Sequence, residues 1–193
     1  MPNNIINATS TGSGGLITTA ADSGSLELQS DGTTIATLSS TGLTMAAGKK
    51  VFSEGSVLQV VSTNYATNTG YNSATPIDTG LSVSITPSSA SNKIFVIANI
   101  NDVSTNAAGA QNAKFTLTDG SNNVISVISD TYVTAYNVSS SSWATFVGQY
   151  LHSPATTSSF TYKIRVQGGS IQINNYNGTP ATTSTITVME IKG

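Results

Sequence analysis

Apolar and small polar residues alternate one by one along much of this sequence, and this alternation restricts its possible folds more than any other feature. Residues 81–86 read LSVSIT, and residues 160–167 read FTYKIRVQ. Successive side chains of a β-strand point to opposite faces of a sheet, so a period of two gives each strand one apolar and one polar face. No window shows apolar residues at the i, i+3, i+4, i+7 spacing of a helix. The sequence therefore predicts an all-β protein.

Strand candidates are densest in residues 56–193, where turn signals recur about every 8–14 residues, as in β-sandwiches. Asp119-Gly120 lies between two of these candidates, and Asp-Gly between apolar segments is a strong hairpin signal. Residues 94–98 read IFVIA, so this strand is apolar on both faces and we expect both faces to be covered. Roughly eight to ten short strands predict an antiparallel β-sandwich of the jelly-roll type.

The first region, residues 1–55, contains short apolar segments separated by Gly-bearing turns. It has too few large side chains to offset the entropy of ordering itself. Copies of the chain wrapped around a shared axis would complete its interior. We therefore interpret residues 1–55 as an oligomeric β-stalk or attachment arm, with a disordered linker as the alternative, and residues 56–193 as the jelly-roll domain. The predicted stalk core consists of Leu16, Ile17, Leu26, Leu28, Ile35, Leu38, Leu43 and Met45.

Charge is scarce in this chain, and its scarcity excludes several partners. Only 8% of the residues are charged and the net charge is −2, whereas charged residues make up about 25% of typical globular proteins. No basic patch suits nucleic acid or a membrane surface, and no apolar segment approaches the ~20 residues of a membrane span. The sequence begins MPNNIINATS without the basic start and apolar run of a signal peptide. The absence of Cys rules out a disulfide framework and is compatible with assembly in a reducing cytoplasm.

The sequence contains no residue pattern that predicts an enzyme or a cofactor. The single histidine, His152, has no nucleophile-elbow motif to accompany it, and we interpret it as a loop histidine before Pro154. The nine acidic residues are scattered, mostly beside turns or strand ends, so none is predicted to be a buried acid. A Ca²⁺ ion held partly by backbone carbonyls near Asp102, Asp119 or Asp130 stays an open alternative.

Aromatic residues offer the candidate binding sites, because exposed aromatic side chains often make contact surfaces. Tyr71, Tyr132, Tyr136 and Tyr176 are the predicted surface-binding residues, and Tyr71 and Tyr176 are expected at loop tips between Asn and Gly residues. Trp143 opens an apolar segment, so we expect it in the core or between subunits.

Three segments carry a resemblance to a known group of proteins. Residues 15–45, GLITTAADSGSLELQSDGTTIATLSSTGLTM, are similar to N-terminal stretches of tail-fibre and other structural proteins of marine and cyanobacterial phages. Residues 79–100, TGLSVSITPSSASNKIFVIANI, and the terminal 183–193, TSTITVMEIKG, resemble their C-terminal β-domain. The resemblance implies a virion component, often trimeric, with a jelly roll similar to the tumour-necrosis-factor fold. It does not separate tail fibre, head decoration and collar protein.

These observations lead to one functional expectation and two alternatives. We expect a homotrimer that uses the strand at Asn92 to Ile100 or its neighbour, with an N-terminal arm bound to other virion proteins. Distal loops at residues 64–75 and 131–142 would face the host surface and its glycans. Such a protein would be assembled in the host cytoplasm and released in virions by lysis. A carbohydrate-binding module or secreted bacterial adhesin is the first alternative, and an enzyme such as a depolymerase is the second.

Overall fold

The computed structural model describes residues 26–51, 53–105, 109–137, 140–141, 143–175 and 182–193. Only the backbone is described at residues 109–110, 132–137 and 140–141. The chain divides into two compact units, Met1–Phe52 and Ser53–Gly193. Three residues with predicted roles, Leu16, Ile17 and Tyr176, lie outside the described residues.

A small antiparallel sheet makes up the described part of the first unit. Its strands are β1 (Leu26–Ser30), β2 (Thr33–Ser39) and β3 (Gly42–Met45), in the order β1-β2-β3. Asp31 and Gly32 join β1 to β2 with φ angles of 48° and 73°. Two consecutive residues with positive φ reverse the chain tightly, and Asp-Gly is a preferred pair for such turns because glycine takes positive φ without a steric penalty.

Nine strands form the described part of the second unit. They are β4 (Val57–Tyr65), β5 (Thr69–Ile85), β6 (Lys93–Thr105), β7 (Gly109–Asp119), β8 (Val124–Asn137), β9 (Ser140–Ser141), β10 (Ala144–His152), β11 (Phe160–Ile173) and β12 (Ser184–Ile191). Eight of them form two antiparallel sheets, in the orders β4-β12-β6-β10 and β5-β11-β7-β8, while β9 pairs with β8. The end of β6 also pairs with β11 and links the two sheets. This strand order is that of an eight-stranded jelly roll, so the predicted fold class is confirmed.

The core lies between the two sheets and follows the period of two. Leu81, Val83 and Ile85 are all buried, as are Tyr162, Ile164 and Val166. The ring of Phe115 on β7 lies 5.4 Å from that of Phe146 on β10, so aromatic side chains join the sheets across the core. The other fully buried apolar residues include Ile94, Val96, Ala98, Ile100, Leu117, Ile171, Ile173, Ile186 and Val188. Alternation in the sequence therefore predicted the inner faces of these strands correctly.

The Asp119-Gly120 hairpin is also confirmed, and the Asp119 side chain organises it. Its Oδ1 accepts hydrogen bonds from the backbone N–H groups of Ser121 and Asn123, each at 2.8 Å. Its Oδ2 accepts one from Asn123 Nδ2 at 2.8 Å. The connection spans residues 120–123 between β7 and β8, and Asn122 adopts a φ of 72° there. A side-chain acceptor of this kind replaces the backbone partners that a tight turn leaves unpaired.

One acidic residue corrects the expectation that no acid is buried. Glu190 on β12 has no exposed surface. Its Oε1 accepts hydrogen bonds from Ser88 N at 2.6 Å, Ser88 Oγ at 2.7 Å and Asn92 Nδ2 at 2.5 Å, and its Oε2 accepts one from Gln59 Nε2 at 2.6 Å. Burial raises the pKa of Glu190, but these donors outweigh burial and hold the pKa below its usual value. The carboxylate thus ties β12 to β4 and to the connection between β5 and β6.

Candidate assembly interface

The outer faces of the two sheets in the second unit differ in charge. On the β5-β11-β7-β8 sheet, Asp78 accepts from Lys163 Nζ at 3.0 Å and from Arg165 Nε at 2.8 Å. Lys114 and Asp130 form a further ion pair at 3.2 Å. Burial raises the pKa of Asp78, but hydrogen bonds and charge from Lys163 and Arg165 hold the pKa below its usual value. We call this surface the charged face. Its Asp78 and Asp130 side chains are each 49% exposed, so both carboxylates keep contact with water.

The outer face of the β4-β12-β6-β10 sheet carries a row of apolar side chains instead. Phe95 on β6 pairs with Met189 on β12 and with Leu151 on β10, and Met189 pairs with Val60 on β4. Paired residues of an antiparallel sheet lie side by side on one face, so the row crosses all four strands. The register places these residues together on what we call the uncharged face: Val60, Ser62, Asn64, Phe95, Ile97, Asn99, Val147, Gln149, Leu151, Thr185, Thr187 and Met189.

Much of the apolar surface on the uncharged face is open in the single chain. Val60 is 56% exposed, Val147 62% and Leu151 49%, while Phe95 and Ile97 are half-buried. Among the residues that the described strand pairing places on this face, Lys93 is the only charged one. It pairs with Ile191, beyond the end of the apolar row. The expectation that both faces of the 94–98 strand are covered is therefore met on the inner face but only in part on the outer one. An apolar surface of this kind is typical of a contact between proteins.

The first unit presents a second apolar surface. In the register of its sheet, Leu26 lies beside Leu38, which lies beside Leu43, and Leu28 lies beside Ala36, which lies beside Met45. Residues two apart on a strand share a face, so all six project from one side. Leu28, Leu38 and Leu43 are 45%, 47% and 56% exposed, so the described residues leave this side incompletely covered.

One predicted member of the stalk core is out of phase with the rest. Ile35 lies one residue from Ala36 on β2, so the alternation of a strand places it on the opposite face of the three-stranded sheet. The other described members, Leu26, Leu28, Leu38, Leu43 and Met45, share one face as a common core requires.

The structure places the candidate binding tyrosines differently from the sequence prediction. Tyr71 was expected at an exposed loop tip, and that placement is wrong: it lies within β5, is 6% exposed, and donates its hydroxyl to Thr79 O at 2.8 Å. Burial raises the pKa of Tyr71. The backbone of Tyr132 and Tyr136 lies in β8. Asn and Gly neighbours misled the prediction because a long strand with bulges can contain them.

Both predicted distal loops are largely strands. Residues 64–75 contain the end of β4 and the start of β5, and residues 131–142 contain the end of β8 and all of β9. Trp143 precedes β10 and is 54% exposed, so the expectation that it packs in the core of the chain is wrong. Its place between subunits stays a prediction.

His152 is the last residue of β10 rather than a loop residue. Its Nδ1 lies 2.9 Å from the hydroxyl of Tyr162, which is fully buried. Desolvation lowers the pKa of His152 below its usual value. Neither a serine nucleophile nor a carboxylate is hydrogen-bonded to this ring among the described residues, so the arrangement is a packed aromatic cluster and not a triad.

Metal-ligand clusters and membrane-spanning helices are both absent from the described residues. No group of three or more His, Cys, Asp or Glu side chains is placed to hold a metal ion in the part of the chain that the structure describes. The same part contains no helix with the length and apolar character needed to cross a membrane.

Comparisons with known proteins leave the family open. No protein-family model matches the sequence, and no curated protein matches it. Among solved structures, one of infectious bursal disease virus, Gx strain, aligns at 10% identity with a TM-score of 0.39, covering 68% of this chain and 40% of that one. The VP2 subviral particle of infectious bursal disease virus aligns at 12% identity with a TM-score of 0.37, covering 79% and 39%. The chain thus spans about 40% of these structures, and likenesses this distant define neither a family nor a function.

Proposed function

We propose that this chain is a bacteriophage virion structural protein, a homotrimeric fibre or head-decoration subunit. The uncharged face of the jelly roll packs against sister copies. The N-terminal region binds other virion proteins, and the parts of the trimer farthest from the particle contact the host surface. The observation that carries the assembly of sister copies is the uncharged face itself, an open apolar row across four strands.

The charge distribution favours sister copies as the partner. Desolvating a charge without a partner is costly, so the surface that covers an uncharged face must be nearly uncharged too. Charged side chains are only 8% of this sequence, and the described ion pairs lie on the charged face. The uncharged face of another copy therefore meets this requirement. Closed symmetric homo-oligomers are also the commonest assemblies of soluble proteins.

The first unit supports the same partner independently. Its apolar side carries six residues from three short strands, and Leu28, Leu38 and Leu43 on that side remain about half exposed, so a partner that covers them would stabilise the unit. Wrapping several copies around one axis covers all of these sides at once. The resemblance of residues 15–45, 79–100 and 183–193 to phage structural proteins supports the trimer and the virion as its setting.

A charged residue placed on the uncharged face should dissociate the assembly. We expect wild-type protein to sediment as a trimer, and Val60→Lys or Leu151→Lys to raise the dissociation constant at least about a hundredfold, because three ammonium groups would be desolvated together. Val60 and Leu151 are about half exposed in the single chain, so its fold should tolerate both changes. Sedimentation velocity over a range of concentrations measures the effect.

Val127→Lys is the matched control for this experiment. Val127 is 50% exposed and pairs with Thr116 on the sheet that bears the charged face, so this variant should remain trimeric. A wild-type protein that is monomeric at about 100 μM, a concentration about a hundred times the dissociation constant of a micromolar association, would contradict the proposal. Equal dissociation by Val127→Lys would contradict the assignment of the face.

The virion setting has its own test. Purified particles that encode this chain should contain it at a stoichiometry that is a multiple of three, measured by quantitative mass spectrometry, and a particle map should show the jelly roll as a three-fold density. Absence of the chain from purified particles would contradict the virion role while leaving the trimer intact.

A further inference from the structure

A groove opens beside the β7–β8 hairpin, where β10 ends. Its volume is about 400 Å³, within the range of about 300–1,000 Å³ in which small-molecule sites fall. The lining residues are Asp119, Asn123, Val124, Ile125, Tyr150, His152, Ser153, Pro154 and Phe160. None of these nine is Lys or Arg, and Asp119 is a carboxylate, so the lining itself favours a neutral ligand over an anionic one.

Aromatic rings form one part of the groove and hold one another in place. The His152 ring lies 5.3 Å from that of Phe160, which lies 4.9 Å from that of Tyr162. The contact between His152 Nδ1 and the buried Tyr162 hydroxyl, at 2.9 Å, fixes the orientation of the imidazole and leaves Nε2 for another partner. Tyr150 lies 6.4 Å from His152 between ring centroids and is 40% exposed. The groove thus contains a set of packed aromatic rings, beside which the ring of Tyr150 is accessible to a ligand.

The hairpin supplies a fixed acceptor at the other part of the groove. Asp119 Oδ2 receives one described hydrogen bond, from Asn123 Nδ2, and Oδ1 receives two from the loop backbone. A carboxylate has about four acceptor positions, so Oδ2 keeps capacity for a ligand hydroxyl. The hydrogen bonds from Asn123 and Ser121 lower the pKa of Asp119, which keeps the acceptor ionised at neutral pH.

We infer that this groove binds a neutral saccharide, with a sugar ring against Tyr150 and sugar hydroxyls bonded to Asp119 and His152. A sugar has an apolar C–H face and a rim of hydroxyl groups, and it therefore needs an aromatic surface beside directed polar groups. The groove combines the two, and its lack of Lys and Arg excludes sulfated or other anionic glycans as preferred ligands.

This inference stands apart from the proposed assembly. Tyr150 pairs with Val96, which is buried between the sheets, whereas its neighbour Leu151 pairs with Phe95 on the uncharged face. Successive residues of a strand point to opposite faces, so Tyr150 is directed away from the uncharged face. Binding can therefore fail while the trimer forms, and the reverse is equally possible.

The test uses the full-length protein on an array of neutral and anionic glycans, followed by calorimetric titration of the neutral glycan that binds best. We expect Tyr150→Ala to raise the dissociation constant at least about tenfold, because an aromatic contact of this size is lost. Tyr150→Phe keeps the ring face and should stay within about threefold of wild type. Val127→Ala is the control, because Val127 is also exposed but does not line the groove, and it should leave binding unchanged.

A second measurement keeps the inference testable if Tyr150→Ala fails to fold. Backbone chemical shifts of the wild-type protein, titrated with the same glycan, should change at Asp119, Asn123, Tyr150 and His152. Shifts confined to another surface would overturn the inference, as would equal loss of binding in Val127→Ala. An array on which only anionic glycans bind, or none binds at millimolar concentration, would overturn it too.

Discussion

Replacing Glu190 by Gln should lower the free energy of unfolding by about 3 kcal/mol at pH 7, since breaking a buried charge network costs about 3–5 kcal/mol. Four donors converge on the Glu190 carboxylate, from Ser88, Asn92 and Gln59. A glutamine amide has the same shape, but its NH₂ group would face donors instead of accepting from them. One or more buried N–H or O–H groups would therefore lose their partner.

The same residue sets a pH dependence with a defined sign. The pKa of Glu190 in the folded chain lies below its ordinary value of 4.5, so the folded state binds this proton less readily than the unfolded state. Its stabilisation is therefore complete above about pH 4.5 and is lost as the pH falls through the folded-state pKa. The difference between wild type and Glu190→Gln should shrink accordingly below pH 4.5.

Urea denaturation at a series of pH values measures both effects. Glu54→Gln is the matched control, because Glu54 is exposed and surface changes of this kind usually stay within about 0.5 kcal/mol. A Glu190→Gln variant as stable as Glu54→Gln at pH 7 would contradict the role of the carboxylate. A difference from wild type that grows as the pH falls would contradict the sign of the pKa shift.

Replacing Gly168 by Ala should destabilise the jelly roll by about 3 kcal/mol, at the upper end of the cost of forcing extra atoms into a packed site. Gly168 lies at bulges of β11 and pairs with Ala113 on β7. A Cβ atom there would overlap the backbone carbonyl oxygen of Asn112 and press on Ile171 Cγ1 at 3.0 Å. Because the first of these is backbone, relief requires that β7 and β11 move apart in the centre of their sheet.

Gly70→Ala provides the control for this substitution. Gly70 lies on β5, which pairs with the same strand β11, and a Cβ there would meet only Gln172 Cγ at an ordinary 3.8 Å. The free energy of unfolding of the Gly70→Ala variant should stay within about 1 kcal/mol of wild type, because alanine fits at this position and reduces the conformational freedom of the unfolded chain. The midpoint of urea denaturation separates the two variants. Equal midpoints would show that β11 adapts at its bulge and that the close approach is not a constraint.

Two different surfaces of the second unit are proposed to have two different functions. The uncharged face has the flat apolar row that another folded copy can cover, whereas the groove beside the β7–β8 hairpin has the concave shape and directed polar groups that a small ligand requires. A trimer would present three such grooves. If all three grooves bind at once, the avidity of the trimer for a surface with many identical glycans would be much higher than the affinity of one groove.

Several failures of the sequence prediction share a cause. Tyr71, Trp143 and His152 were placed by their immediate neighbours in sequence, yet Tyr71 is buried in β5 and Trp143 is exposed. Burial of one aromatic residue depends on which strand covers it, and strand pairing here joins residues as distant as Gln59 and Glu190. Tyr150 was missed for the same reason. A tyrosine in the apolar segment 143–151 looks like a core residue until β10 is known to lie at the edge of its sheet.

The sequence by itself determined the elements of this protein: its all-β class, its hairpin at Asp119, and the inner faces of its strands. These follow from local physics, because the period of two and the conformational preferences of Asp and Gly act within a few residues. Only the tertiary structure decided which strands became neighbours, and hence that Phe95, Met189, Leu151 and Val60 form one row, that Glu190 is enclosed by donors, and that Tyr150 borders a groove. Register across strands brings together residues far apart in the chain, and no local pattern specifies that register.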